Sequence, residues 1–74
     1  MLRSKLGSSQ QEEKVFKFIQ GYVASNDEAP TIQEIVRNCG FHSASTVHTV
    51  LKNLQLAGRI TIKQNIPRGI IVNA

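Results

Sequence analysis

Three amphipathic segments at helical spacing, followed by two short runs rich in β-branched residues around a basic turn, predict an α+β, mainly helical fold: a winged helix-turn-helix. The third segment supports this, because its outward face carries small hydroxyls and an imidazole where a surface helix normally carries long charged side chains. Charge is the third observation. Residues 35–74 hold Arg37, Lys52, Arg59, Lys63 and Arg68 with no acidic residue, whereas residues 1–34 set four basic residues against five acidic ones.

The size of the chain limits what else it can be. Its 74 residues suffice for one domain with one core, and a domain this small buries roughly 60% of its unfolded surface. No apolar run approaches the ~20 residues of a membrane-spanning helix. The basic start, Met1 to Leu6, has no apolar stretch behind it, so it is not a secretory signal. A single cysteine, Cys39, permits no internal disulfide. That fits a reducing cytoplasm, and Cys39 itself reads as a small buried apolar residue.

Residues 1–8 read as a flexible N-terminal tail, and residues 9–74 as the winged helix-turn-helix domain. The first helix is expected from Ser9, where Ser9-Gln10-Gln11-Glu12 has capping-box spacing. Val15, Phe18, Ile19, Tyr22 and Val23 form its apolar stripe. Asn26 to Ala29 read as a loop before Pro30, which disfavours helical backbone at Ala29. Thr31-Ile32-Gln33-Glu34 repeats the capping-box pattern and opens a second helix with Ile35, Val36 and Cys39 on its apolar face. Gly40 is a natural left-handed stop. Ser43 is the N-cap of a third helix in which Val47, Val50, Leu51 and Leu54 face the core, and Gly58 ends it. The period then changes. Ile60-Thr61-Ile62-Lys63 alternates as a strand does, Gln64 to Arg68 read as a turn, and Gly69 to Asn73 form a second strand.

The outer face of the third helix is where chemistry is expected. The major groove of B-DNA is about 12 Å wide and admits one α-helix, and the N-terminal half of a recognition helix points at the bases. Ser45, Thr46, His48 and Thr49 lie in that half, and each can donate to or accept from a base edge at close range. Capping the helix is a second reading for Ser43, but it does not account for His48 and Thr49. Lys52, one turn further on, is expected at a phosphate. Lys63 and Arg68 flank the turn of the wing and are expected near phosphates or a minor groove. Basic side chains at phosphates supply affinity without sequence preference. Catalysis has little support: His42 and His48 are not at the spacing of a helical metal pair, no acidic residue follows Glu34, and no glycine-rich phosphate loop is present. No metal, cofactor or enzymatic activity is expected.

The order and spacing of several short runs carry a family resemblance. They are Gln11-Glu12-Glu13-Lys14-Val15-Phe16-Lys17-Phe18-Ile19, Ala29-Pro30-Thr31-Ile32-Gln33-Glu34-Ile35, Gly40-Phe41, Ser43-Ala44-Ser45-Thr46-Val47-His48, Leu51-Lys52-Asn53-Leu54, Gly58-Arg59-Ile60 and Arg68-Gly69-Ile70. Together they resemble the N-terminal DNA-binding domain of the LexA family of SOS-response repressors over about residues 9–73. The Ser-x-Ser-Thr-Val-His run is closer to the Gram-positive type. The resemblance implies one winged helix per half-site of a palindromic operator, with a GAAC-like half-site. It implies that Ser43, Ser45, Thr46, His48 and Thr49 read bases, and that Gln10, Lys52, Lys63, Asn65 and Arg68 meet the DNA backbone. Two features depart from the family: Ala29-Pro30 replaces a common Pro-Pro, and the wing reads Asn65-Ile66-Pro67-Arg68. The family's peptidase and dimerising half is not recognisable in these residues. Self-cleavage is therefore not expected of them, and the isolated domain is expected to be mostly monomeric, pairing on DNA or through a C-terminal domain.

Two other functions remain open on the residues alone. One is a winged-helix protein-interaction module, which would favour a more apolar third-helix face with exposed aromatics. The other is a phage or plasmid regulator that uses the same domain for an unrelated set of genes.

Overall fold

The computed structural model describes residues 3–73, with side chains from Gln10 onward. Three helices, α1 (Arg3–Asn26), α2 (Ile32–Cys39) and α3 (Ala44–Leu56), precede two strands, β1 (Ile60–Ile62) and β2 (Ile70–Val72). The strands pair antiparallel, with Ile60 opposite Val72, Thr61 opposite Ile71 and Ile62 opposite Ile70. This is the α+β, mainly helical winged helix-turn-helix that the periodicity predicts.

α1 starts upstream of the expected Ser9. Arg3 to Ser9 contain no proline, and Arg, Lys and Leu favour helix, so nothing there forces the chain out of helical backbone. Serine three residues before glutamate caps a helix only where the chain leaves it. Residues 3–8, assigned above to the tail, therefore belong to α1; Met1 and Leu2 lie outside the described residues. At the other end, Asp27 adopts a left-handed φ of 60° and its N–H donates to the Val23 carbonyl at 2.9 Å.

α2 begins and ends as its sequence predicts. The Thr31 hydroxyl accepts from the Glu34 N–H at 3.2 Å, and the Glu34 carboxylate accepts from the Thr31 N–H at 2.8 Å. Gly40, at φ 74°, closes the helix in the left-handed region that costs glycine nothing. At the end of α3 the N–H of Gly58 donates to the Gln55 carbonyl and that of Arg59 to the Leu54 carbonyl, a Schellman closure.

The core lies where α1, α2, α3 and one face of the hairpin meet. Val15 and Ile19 of α1, Ile35 of α2, and Val47, Leu51 and Leu54 of α3 are fully or almost fully buried, and Ile60 and Ile70 close the core from the strands. All four α3 residues expected to face inward do so. In α1 the stripe is rotated: Phe16 is buried, whereas Phe18, Tyr22 and Val23 are half-buried. Phe16 belongs to the core cluster, and the Arg59 guanidinium adds cover over its ring at 4.0 Å while bonding Glu13 at 3.1 Å. Helical periodicity within α1 does not reveal a partner contributed by another element.

Candidate nucleic-acid interface

At about 3.6 residues per turn, the buried ridge of α3 places Ser45, Thr49, Lys52 and Leu56 on the opposite, outward side. His48 and Gln55 fall on one flank, and Thr46 and Asn53 on the other. All of these side chains are exposed. The His48 flank faces the wing: His48, Lys52 and Gln55 line an open cleft of about 500 Å³ with Lys63, Asn65 and Ile66. The Thr46 flank faces α1, where Thr46, Thr49 and Asn53 border a shallower depression with Gln11 and Glu12. α3 thus stands proud between two recesses.

The hydroxyls on this face differ in what they have left to offer. Ser43 is the N-cap residue by backbone, at φ −153° and ψ 160°, but its side chain makes no capping hydrogen bond. Its hydroxyl is exposed, so capping does not consume it. The Thr49 hydroxyl donates to the Ser45 carbonyl at 3.2 Å, which leaves its lone pairs as acceptors. Asn53 donates its amide to a Glu12 carboxylate oxygen at 3.1 Å, so its carbonyl oxygen is the end that remains.

The basic residues of the second half divide into two groups. Among the described residues, Lys52 and Lys63 make no ion pair, and both line the cleft between α3 and the wing. Asn65 is exposed beside them at φ 63°, a conformation that asparagine tolerates better than most residues. The arginines of the wing region turn inward. Arg59 pairs with Glu13, and its hydrogen bond holds the Glu13 carboxyl below the usual carboxylate range.

Arg68, expected at a phosphate, is engaged within the domain. Its guanidinium forks onto Glu34, Nη1 to Oε1 at 3.0 Å and Nη2 to Oε2 at 3.2 Å. Nη1 also reaches the Ala29 carbonyl at 2.9 Å and the Tyr22 hydroxyl at 3.2 Å. Glu28 adds a longer contact at 3.7 Å. A bidentate fork of this kind is the strong form of a charge-assisted bond. With the Thr31 N–H adding to the Arg68 bonds, the Glu34 carboxyl falls from 4.5 to about 2, and the Arg68 pKa rises. Arg68 therefore ties the return strand of the wing to α1, the α1–α2 loop and the start of α2.

A second tie holds the outgoing strand. The Gln55 side-chain carbonyl accepts the Ile62 N–H at 2.8 Å, so α3 itself grips β1. Between the two ties the turn closes through Gly69, whose carbonyl accepts the Lys63 N–H at 2.9 Å and whose N–H donates to the Ile66 carbonyl at 3.1 Å. A Cβ built at Gly69 would lie 2.7 Å from the Lys63 carbonyl oxygen; glycine is required here by close backbone approach.

Sequence reasoning missed Glu34, Tyr22 and Gln55 in these roles. Glu34 was already explained by its cap, and its second partner lies 34 residues away. Gln10 is exposed on α1, but the residue that borders Thr46 is its neighbour Gln11. Among the described residues, no three His, Cys, Asp or Glu side chains gather as a metal site, and no helix is long and apolar enough to cross a membrane. Burial raises the pKa of the Cys39 thiol, as for a packed residue rather than an activated nucleophile.

Comparison with known proteins gives one consistent result. The family model described as the LexA DNA binding domain matches residues 3–69. The chain is 42% identical to the LexA repressor of Carboxydothermus hydrogenoformans over 62 residues, covering 84% of this chain and 30% of that protein. It is 33% identical to the LexA repressor of Herpetosiphon aurantiacus over 69 residues, 92% of this chain and 32% of that one. For the LexA repressor of Acetivibrio thermocellus the identity is 32% over 71 residues, 96% of this chain and 32% of the repressor. The chain thus spans about a third of the length of the repressors it matches.

Proposed function

The chain belongs to the LexA DNA-binding domain family, and from that premise we propose that it is the operator-reading module of a transcriptional repressor, binding double-stranded DNA in a sequence-dependent way. α3 enters the major groove. Ser43, Ser45, Thr46, His48 and Thr49 face base edges, with Thr49 restricted to accepting. Lys52 and Lys63, on either side of the cleft, meet phosphates of the strand that lies between α3 and the wing, and Asn65 and Gln10 contact the backbone at the margins. Arg68 has no place in this contact set. We assign no reaction to these residues, and a cytoplasmic location accompanies the reading.

The observation that carries the proposal is the exposed face of α3. Its first two turns present small hydroxyls and one imidazole, and Lys52 and Lys63, which make no ion pair among the described residues, line the cleft beside it. Base contacts of this kind specify, while phosphate contacts position and add salt dependence. One domain fits one half-site, and the operator is a palindrome bound by two domains.

A fluorescence-anisotropy titration at fixed salt tests this. A duplex with a GAAC/GTTC palindrome is expected to bind more tightly than a scrambled duplex of the same composition. Equal, salt-sensitive binding to both would retain DNA binding but remove that operator. Absence of binding at low salt would remove the proposal.

A further inference from the structure

We propose that the Glu34–Arg68 fork sets the stance of the wing against the recognition helix, so that Glu34 and Arg68 are positioning residues for DNA binding without touching DNA. This rests on the preceding assignment of Lys63 to a phosphate.

Little else holds the turn of the wing. Each strand has three residues, and an isolated two-stranded hairpin is marginal at best in water. Ile60 at the open end of the ladder and Ile70 at its turn end are buried, with Ile62 and Val72 packed against the same core, but Gln64, Asn65, Ile66 and Pro67 are all exposed. That burial seats the strands and leaves the turn from Gln64 to Pro67 without cover to fix how it tilts. Tilt is opposed by groups that bond across to other elements on both sides of the turn. Gln55 does this for β1, and Arg68, immediately before β2, does it through the fork.

The fork is suited to this task because its acceptor is itself immobile. Glu34 is fixed by the capping box to the first turn of α2, and α2 is packed through Ile35 and Cys39 into the core. A planar guanidinium bound at two points by a carboxylate resists rotation as well as translation. The further bonds to the Ala29 carbonyl and the Tyr22 hydroxyl bring α1 into the same clamp. The width of the cleft between Lys52 and Lys63 is therefore set from the α1–α2 loop and the start of α2.

Two variants of the whole chain test this. Glu34→Gln keeps a capping box, since glutamine serves at that position, but loses the charged fork. Arg68→Gln removes the fork from the other side. Residual dipolar couplings of the Lys63 to Ile66 amides in the free protein are expected to change relative to those of α3 in both variants, while the α3 couplings fit one orientation throughout. Couplings that fit the original wing orientation would overturn the proposal without reference to DNA. In the unsubstituted chain Lys63→Ala is expected to shallow the salt dependence of binding by about one unit. In either variant the same change is expected to cost half of that or less. An equal cost in all backgrounds would also overturn the proposal. If Lys63→Ala has no effect even in the unsubstituted chain, the phosphate assignment of the preceding section fails, and the couplings alone decide the clamp.

Discussion

α3 and the hairpin line the two sides of one cleft, yet they are held on the body by different forces. α3 buries Val47, Val50, Leu51 and Leu54 against α1 and α2, so its position is set by close packing that neither salt nor pH alters directly. The hairpin seats its strands on the core through Ile60, Ile62, Ile70 and Val72, while its turn is tied by Gln55 and by the Arg68 fork. α3 is fixed by close packing, and the turn of its neighbour is held by polar bonds that conditions can loosen. In a domain built this way, the proposed base-reading face stays constant while the proposed grip on phosphates varies.

The largest expected effect attacks the packed side. Leu54→Ala removes a large, almost fully buried side chain and is expected to cost about 2–5 kcal/mol, most of what a domain this small has. Chemical denaturation should show a single transition at much lower denaturant, with helix and wing signals lost together. Gly69→Ala acts on the other side. Its methyl would meet the Lys63 carbonyl oxygen, a backbone atom that cannot rotate away. A cost of about 1–3 kcal/mol is expected, with hydrogen exchange at the Lys63 amide accelerated more than at amides in the middle of α3.

The pH dependence separates the two regions most cleanly. The Glu34 carboxyl is held at about 2 against an ordinary 4.5. A carboxyl with a lowered folded-state pKa contributes stability that is complete above its unfolded value and is lost as pH falls through the folded one. The fork should therefore stabilise fully above about pH 5 and fade between about pH 4.5 and 2. Thermal melts across that range should show a steeper acid loss for the unsubstituted chain than for Arg68→Gln, in which this contribution is absent at every pH. Parallel curves would mean that the fork contributes no linkage.

These differences also explain what could be read in advance. The inward ridge of α3, the α2 capping box and the left-handed stop at Gly40 depend on residues within one or two turns of each other, and sequence spacing reveals them. The rotated stripe of α1 does not show, because Phe16 is covered by Arg59 from another element. The inward partners of Arg68 are hidden for the same reason. An arginine beside a basic turn looks like a phosphate ligand until the fold brings Glu34 and Tyr22 to it. The acid-free second half of the chain pointed to an anion-binding surface, but Arg59 and Arg68 direct their charge inward to carboxylates of the first half. The helix start at Ser9 failed because a capping pattern was read as a boundary without a break in the chain before it.

The most direct test of the base-reading face is His48→Ala, compared on the palindromic duplex and on a scrambled one at the same salt. A well-made base contact is worth about 1–3 kcal/mol. The variant should lose that much on the palindrome and almost nothing on the scrambled DNA. Equal losses on both would place His48 on the backbone and contradict the assignment of α3 as the element that reads sequence.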